Sequence, residues 1–326
     1  MLAEFIFIDN PGVIMFSVLA VSFILSVFGF IGNININSGD GNVNISGQNI
    51  DYQEQDSVDE SIDASGASGI NINNPVGSVN LSVTGEDKVL VTKKLFLPNA
   101  TPEEEKKQLK QAFKSSFLAK NANAVDLVIP KMVVLGGLSA RVDLDIKVPE
   151  RFNLKQLPGT NDISIESISG KVELENNAGK INLANLSGEV YASSNSGALT
   201  GNKLTNPVSI TVNAGNISFG SLSLKSKDAK IKANAGGVEV DIDQVAPDAR
   251  CKVEVNSGDI LISINRQANV TIEAKSNMGD VVLDPDIKVI SGGKNFMGAS
   301  YTAQVNNGGG NILASSATGM IKIILK

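Results

Sequence analysis

The chain has 326 residues, of which 42% are hydrophobic but only 5% aromatic, and it contains no His, no Trp and one Cys. The missing His removes the commonest general base and metal ligand, and a single Cys excludes an intramolecular disulfide or a Cys-based zinc site. The net charge is −6, the first basic residue is Lys88, and no dense Lys/Arg stripe supports nucleic-acid binding. The Val-, Ile- and Leu-rich composition predicts an all-β chain with no cofactor, metal or nucleic acid.

The first predicted element is an apolar helix over residues 12–32, which contain no charged side chain. A helix of that length measures about 31 Å, enough to cross the hydrocarbon core of a bilayer. Glu4 and Asp9 precede it where a cleaved signal peptide would carry basic residues, so we predict an uncleaved anchor over residues 1–32. We expect residues 33–326 to lie outside the cytoplasm, because a stretch without basic residues translocates easily.

A Gly/Asn-rich and acidic linker is predicted over residues 33–69. Its first part, residues 33–47, alternates polar and aliphatic residues around a Gly-rich turn, as a hairpin does. Its second part, residues 51–69, carries six acidic residues and no basic one. Such a composition predicts a solvated, disordered segment.

Residues 70–160 are predicted to form an N-terminal β region interrupted by one amphipathic helix at 101–120. Thr101 and Glu104 fit a capping box, and the face formed by Leu109, Phe113 and Phe117 would pack on the β structure. Further along, Asp143 and Asp145 could form an acid/base pair. The alternation of polar and aliphatic residues around them instead indicates the solvated face of a strand.

Residues 161–326 are dominated by a repeated turn in which Asn, one further residue and Gly precede an aliphatic strand. The turns recur every 18 to 22 residues, with a last interval of 29, and this period is typical of a solenoid. Further Ser-Gly turns end at Gly170 and Gly188, so that one coil holds two strands and two turns. The sequence therefore predicts a single-stranded β-helix, or β-solenoid, with coils of 18–22 residues.

We interpret the turn residues as a structural ladder rather than a binding site. Gly supplies the positive φ of a tight corner, and Asn can hydrogen-bond its own copy on the next coil. Cys251 is interpreted as a small residue at the start of a strand, since a reactive thiol would need a His partner. The predicted ladder consists of Asn177, Gly179, Asn195, Gly197, Asn213, Gly215, Asn234, Gly236, Asn256, Gly258, Asn277, Gly279, Asn306 and Gly308.

The strand VDLDIKVP and the serial units NAGKI, NSGDI and NMGDV resemble the bacterial and archaeal β-strand-repeat family of adhesin-like proteins, a DUF4097-like domain of unknown function. The resemblance covers residues 70–326. The sequence departs from the family in its helix at 101–120 and in a stretched last repeat with Phe296 and Tyr301. The resemblance implies a β-helix-like domain, often tethered to a membrane, without known catalytic residues.

Three functions are compatible with these features. The leading hypothesis is a non-enzymatic, single-pass membrane protein whose solenoid binds a protein or glycan at the cell surface. An alternative is a self-assembling scaffold similar to bactofilins, because an open solenoid end is an unpaired strand edge. The apolar segment 320–326 could pair with another chain in this way, or it could equally close the last coil, for example under the helix at 101–120. A polysaccharide-active enzyme would need clustered carboxylates, for which Asp259 and Asp280, expected one coil apart, are the candidates.

Overall fold

The computed structural model describes residues 34–36, 43–45, 52–99, 101–121, 123–129 and 140–326. It divides the chain into two units, Met1–Asp51 and Tyr52–Lys326. In the first unit, β1 (Ile34–Ile36) and β2 (Val43–Ile45) pair antiparallel, which confirms the predicted hairpin. The anchor predicted at 12–32 lies outside the described residues, and none of the helices that are described is long and apolar enough to cross a membrane.

The second unit is built almost entirely of strands, and α1 (Glu103–Phe113) is its helix in the described part of the chain. This confirms the prediction of an all-β chain with one inserted helix. Its strands are β3 (Tyr52–Asp63), β4 (Gly69–Asn73), β5 (Val76–Thr84), β6 (Lys88–Pro98), β7 (Leu118–Lys120), β8 (Val125–Val128), β9 (Arg141–Pro149), β10 (Asn153–Gln156), β11 (Thr160–Glu166), β12 (Val172–Ala178), β13 (Ile181–Ser196), β14 (Leu199–Ala214), β15 (Ile217–Leu224), β16 (Ala229–Ala235), β17 (Val238–Val245), β18 (Arg250–Ser257), β19 (Ile260–Ile264), β20 (Val270–Met278), β21 (Val281–Leu283), β22 (Lys288–Lys294), β23 (Ala299–Val305), β24 (Gly310–Thr318) and β25 (Ile321–Leu325).

The strands pair in two series that share β13 and β14, each of which is 16 residues long and turns a corner. The first series runs β7-β8-β4-β10-β12-β13-β14-β16-β18-β24-β20-β23-β22. The second runs β3-β6-β9-β5-β11-β13-β14-β15-β17-β19-β25-β21. Buried side chains from both series form one hydrophobic cluster, so the two layers face each other across a common core.

Parallel pairing places each residue against its equivalent on the next coil. Ile181 pairs with Leu199 and Leu199 with Ile217, and the following partners are Val238 and Ile260. All five side chains are buried. Because neighbouring strands lie about 4.8 Å apart, the inward positions form continuous columns of Ile, Leu and Val. This column explains why aliphatic residues recur at the period of the turns.

The last coil does not stack in chain order. β24 pairs in parallel with both β18 and β20, and β25 pairs with both β19 and β21. The strands β20 and β21 therefore lie one coil further from β18 and β19 than chain order would place them. The final coil, formed by β24 and β25, lies between these two pairs of strands. Segment 320–326 was expected either to pair with another chain or to close the last coil. It completes the last coil of its own chain, and β25 lies between β19 and β21.

The disorder predicted for the acidic segment 51–69 was wrong. Residues Tyr52–Asp63 form β3, which pairs antiparallel with β6 along its whole length. Three of its acidic side chains have basic partners, namely Lys93 for Glu60, Lys114 for Asp56 and Lys120 for Asp63. Those lysines lie 30 or more residues downstream, so the charge neutralisation is not visible in the local sequence.

The amphipathic helix exists but is shorter than predicted. It ends at Phe113, and residues Leu118–Lys120 of the predicted range form β7. The capping box is absent, because Pro102 is the cap residue and its side chain makes no capping hydrogen bond. Leu109, Phe113 and Phe117 are nevertheless all buried. Phe117 reaches the core after a chain reversal, in which Ser115 Oγ donates to the carbonyl of Ala112 at 2.7 Å.

Candidate functional site

Five of the seven predicted turn asparagines form one continuous column of side-chain hydrogen bonds. Each Nδ2 donates to the Oδ1 of the Asn on the preceding coil, over distances of 2.7 to 3.1 Å. The amides thus satisfy one another along an exposed corner of the solenoid. The column consists of Asn177, Asn195, Asn213, Asn234 and Asn256.

The turn glycines lie beside these asparagines, with φ between 110° and 146° from Gly179 to Gly279. A Cβ on Gly197 would lie 2.0 Å from the carbonyl oxygen of Gly179, and one on Gly215 would lie 2.1 Å from that of Gly197. The corner therefore requires glycine both for its backbone conformation and for the close approach of the next coil. The same conformation occurs at Gly236 and Gly258.

Asn277 and Asn306 were wrongly placed in the ladder. The intercalated β24 separates Asn277 from Asn256, since Ser257 and Met278 both pair with Thr318. Asn306 has φ 53° and donates to the carbonyls of Arg266 and Ala268, so it closes the turn before β24. Gly308 belongs to that turn, with φ 73°.

The intercalation also separates the two candidate carboxylates. Asp259 and Asp280 flank Met320 instead of lying on adjacent coils, because Gly319 stands between Gly258 and Gly279. Asp259 Oδ1 accepts the backbone N–H of Met320 at 2.7 Å, and Asp280 forms an ion pair with Lys294 at 2.5 Å. Both carboxylates therefore have structural partners, and the expected pair one coil apart is not formed.

Asp143 and Asp145 occupy the outer side of β9, as the alternation predicts. Asp143 Oδ1 accepts the N–H of Ser78 at 2.9 Å, while Asp145 accepts from Asn80 Nδ2 at 2.9 Å and forms an ion pair with Lys94 at 3.2 Å. The hydrogen bond from Asn80 is the main cause that lowers the pKa of Asp145, and Lys94 adds to it against the effect of burial. Neither carboxylate is arranged as a general acid.

Cys251 lies wholly inside the core, where burial raises the pKa of its thiol to about 12. A thiol with that pKa is almost entirely protonated at neutral pH and is a poor nucleophile. This placement agrees with the structural interpretation of Cys251. Within the described part of the chain, no group of three or more acidic or Cys side chains could hold a metal ion.

One polar cluster was missed from the sequence. Ser221 Oγ donates to Asp243 in a short hydrogen bond, and Lys326 Nζ lies 3.1 Å from both Asp243 and Asp241. The hydrogen bond from Ser221 is the main cause of a lowered pKa of Asp243. A carboxylate with a lowered pKa is a weak base for activating a serine. The two ion pairs instead fasten Lys326 to β17.

A second surface feature is an open groove of about 450 Å³ on the outer side of the first strand series. Lys155, Glu173, Tyr191 and Ser209 form one column across four successive coils, on β10, β12, β13 and β14. We call this surface the tyrosine groove. Its outward-facing and flanking residues are Lys155, Leu157, Glu173, Glu175, Tyr191, Ser193 and Ser209.

Exposed large apolar side chains are concentrated where the solenoid ends. Phe296 is fully exposed and Met297 is 66% exposed, at the tip of the hairpin formed by β22 and β23. Every residue of β22 is exposed. The end patch, as we call it, consists of Met278, Val282, Val289, Ile290, Phe296, Met297 and Met320.

The hairpin tip is a defined turn. Asn295 Oδ1 accepts the N–H groups of Met297 and Gly298 at 3.0 and 2.8 Å, and its own N–H donates to the carbonyl of Gly298. The Met297 carbonyl in turn accepts the N–H of Gly279 on the last corner. The backbone on both sides of Phe296 is therefore fixed by hydrogen bonds, and the Phe296 side chain projects from this turn fully exposed.

A family model described as Toastrack DUF4097 matches residues 146–323, more than half of the chain. The chain belongs to the Toastrack family. Two solved structures are similar to it at low identity. A proposed cell adhesion protein from Clostridium sporogenes ATCC 15579 has 15% identity, covers 84% of this chain and 100% of its own, and gives a TM-score of 0.26. A proposed adhesin from Bacteroides fragilis NCTC 9343 has 13% identity, covers 83% and 98%, and gives a TM-score of 0.42. No curated protein matches the chain.

The Toastrack region begins within β9 and ends within β25. It contains the asparagine column, the tyrosine groove and the end patch. It does not contain β3, β6 or α1, which lie before residue 146. The helix and the acidic strand therefore lie outside the matched region, which is shorter than the span 70–326 over which the sequence resembles the family.

Proposed function

We propose that this Toastrack protein is a non-enzymatic, membrane-anchored surface protein whose solenoid binds a protein or glycan in an adhesin-like role. Residues 12–32 would provide the anchor, and residues 33–326 would lie outside the cytoplasm. The observation that carries the proposal is the end patch. A concentration of exposed large apolar side chains at one end of a fold is a feature of interaction sites.

The geometry of the end patch supports a binding role. Phe296 and Met297 are presented by a hydrogen-bonded turn, so little backbone conformational entropy is lost when they are covered. Aromatic and Met side chains are enriched at the centres of protein interfaces. The structural partners of Asp259 and Asp280 further favour binding over catalysis.

Protease accessibility on intact cells tests the location. An epitope tag is placed after Lys326, and intact and lysed cells producing the full chain are treated with the same protease. We expect loss of the tag from intact cells, with a cytoplasmic marker protein preserved as the control. Protection in intact cells with digestion after lysis would refute surface display.

Self-assembly is a second candidate, favoured by one observation. β22 pairs with β23 on one side, and no described strand pairs with its other side. Several features oppose strand addition there: an irregular register between Val289 and Ser291, Gly292 with φ 118°, and lysines at both ends of the strand.

Light scattering of the full chain in detergent distinguishes the two candidates. Assembly through the end patch predicts oligomers that dissociate in Ile290→Lys. Val128→Lys is the matched control, because Val128 is also a half-exposed aliphatic strand residue but lies on β8, near the end of the first strand series that is opposite to β22. A monomer that is unchanged by Ile290→Lys would eliminate self-assembly through this surface.

A further inference from the structure

The tyrosine groove has a chemical composition that suits a particular class of ligand. Tyr191 and Leu157 offer apolar surface, whereas Lys155, Glu175 and Ser193 offer hydrogen-bonding groups around it. Binding sites for small polar molecules commonly combine an apolar wall with a few polar groups that fix orientation. Such a surface fits a ligand that has one apolar face and a rim of hydroxyl groups.

The aromatic ring is held in place before any ligand arrives. Lys171 Nζ lies over one face of the Tyr191 ring, 4.7 Å from its centroid, and the phenolic hydroxyl donates to Glu189 at 3.3 Å. A ligand must therefore stack on the opposite face of the ring. Lys171 also forms an ion pair with Glu173. On the following coil the partner of Tyr191 is Ser209, whose short side chain leaves the groove open beside the ring.

The groove and the groups that contact the ring carry little net charge. Lys155 and Lys171 contribute two positive charges, and Glu173, Glu175 and Glu189 contribute three negative charges, a net charge of −1. Neither a strongly acidic nor a strongly basic ligand is therefore favoured. Because strands lie about 4.8 Å apart, the four coils from Lys155 to Ser209 span about 14 Å. This length accommodates a short run of sugar rings.

We propose that the tyrosine groove binds a neutral oligosaccharide, with one pyranose ring stacked on Tyr191 and its hydroxyl groups bonded to Lys155 and Glu175. This inference rests on the proposed function, since it names the ligand class of a surface-binding solenoid. The apolar C–H face of a pyranose covers an aromatic ring well, and its hydroxyl rim both donates and accepts hydrogen bonds, matching a carboxylate and an ammonium group together.

Saturation-transfer NMR on the full chain in detergent tests the site. The probes are maltohexaose, cellohexaose, laminarihexaose and mannohexaose, with hexagalacturonate as the anionic arm and spermidine as the cationic arm. We expect transfer to the ring protons of at least one neutral hexaose. Titration of that sugar should show affinity reduced about tenfold by Tyr191→Ala and largely kept by Tyr191→Phe.

Tyr301→Ala is the matched control, because Tyr301 is a half-buried tyrosine on β23, outside the groove. It should leave the sugar affinity unchanged. The circular dichroism of each variant must match that of the wild type, and Glu175→Gln supplies a second variant that keeps the side-chain volume and should weaken binding severalfold.

The inference is overturned if no neutral hexaose binds, if only the charged probes bind, or if Tyr191→Ala and Tyr301→Ala have the same affinity. Its failure is distinguishable from failure of the proposed function. Surface display without sugar binding would remove the groove assignment alone. Sugar binding that depends on Tyr191 in a protein protected inside the cell would instead keep the site and refute the surface role.

Discussion

Each turn of the solenoid places its asparagine and its glycine under different constraints. The glycine is fixed by a positive φ and by a carbonyl of the preceding coil, whereas the asparagine is held by hydrogen bonds at an exposed position where water can replace them. A net hydrogen bond contributes only about 1 kcal/mol, and less at an exposed site. The glycine should therefore matter more to stability than the asparagine two residues earlier.

The substitution Gly215→Ala should lower the free energy of unfolding by at least about 2 kcal/mol, since φ is 138° and the new Cβ would lie 2.1 Å from the carbonyl oxygen of Gly197. Chemical denaturation of the full chain measures the change. Gly85→Ala is the control, because a Cβ there meets no atom within 4 Å. Asn213→Ala should cost less than Gly215→Ala. Equal costs for Gly85→Ala and Gly215→Ala would contradict this account of the corner.

A prediction for Cys251 follows from its complete burial and its pKa of about 12. A thiol reagent such as dithionitrobenzoate should find no reactive thiol in the folded protein at pH 8, because the thiolate is scarce and the side chain is inaccessible. One thiol per chain should react after unfolding in guanidinium, which serves as the internal control. Rapid labelling of the native protein would show that the core around Cys251 opens readily.

At the scale of secondary-structure elements, one buried ion pair connects β3, β6 and the reversal after α1. Lys93 on β6 is fully buried, pairs with Glu60 on β3 and donates to the carbonyl of Ser115 at 2.5 Å. Its Nζ also lies 3.5 Å from the ring centroid of Phe117. Burial opposes the charge on Glu60, but hydrogen bonds from Lys93, Ser116 and the N–H of Phe117 outweigh it and lower the pKa of the carboxyl.

Glu60→Gln should destabilise the protein by about 3 kcal/mol at neutral pH, because it leaves the buried ammonium group of Lys93 without its counter-charge. The control is Asp145→Asn, which breaks the exposed pair with Lys94 and should cost under about 1 kcal/mol. Thermal unfolding of both variants gives the comparison. A double variant, Glu60→Leu with Lys93→Met, should recover much of the loss. No recovery would indicate that the hydrogen bonds to Ser115 and Phe117 dominate instead.

The ion pair between Glu60 and Lys93 also predicts how the stability of the protein changes at acidic pH. The pKa of Glu60 is lower in the folded state than in the unfolded state, so its contribution is complete above the unfolded pKa and is lost as the pH falls through the folded value. The wild type should therefore lose more stability than Glu60→Gln between about pH 5 and about pH 3. Parallel loss of stability in the two proteins over that range would show that other carboxylates govern acid unfolding.

The sequence predicts individual strands and turns better than it predicts which segments lie next to one another in the fold. Periodic Asn-x-Gly turns and aliphatic strands indicate coils of the observed length, because one coil is a local pattern. The acidic β3 was misjudged because Lys93 and Lys120, which neutralise it, are distant in sequence. The groove at Tyr191 was also missed, since it depends on which short side chains lie beside the ring on adjacent coils.

At the scale of the whole molecule, the order of the coils differs from the order of the chain. A local turn pattern specifies a corner, but it does not specify which other corner lies next to it. Gly319 lacks the preceding Asn of the repeat and yet lies between Gly258 and Gly279. The positive φ of Gly319, 141°, matches theirs. The sequence signal for intercalation was therefore only a seventh aliphatic strand after an Ala-Thr-Gly turn.

Intercalation makes a prediction about where the molecule opens. If coils stacked in chain order, the C-terminal strands would form the outer end and fray first. In this structure β24 is hydrogen-bonded on both sides, by β18 and β20, and β25 is flanked by β19 and β21. β22, which precedes them in the chain, pairs with β23 alone. Amides on a strand that is hydrogen-bonded along both edges exchange only when a large part of the fold opens.

Hydrogen exchange of the full chain, followed by mass spectrometry, should therefore show peptides of β24 exchanging at least about 100-fold more slowly than peptides of β22. β12 provides the internal reference, because it lies between β10 and β13 in the middle of the solenoid, and β24 should resemble it. Removing residues 310–326 should then expose β18 and β20 together, with faster exchange in both. Exchange of β24 as fast as that of β22 would mean that the chain end lies outside the stack and that the coils follow chain order after all.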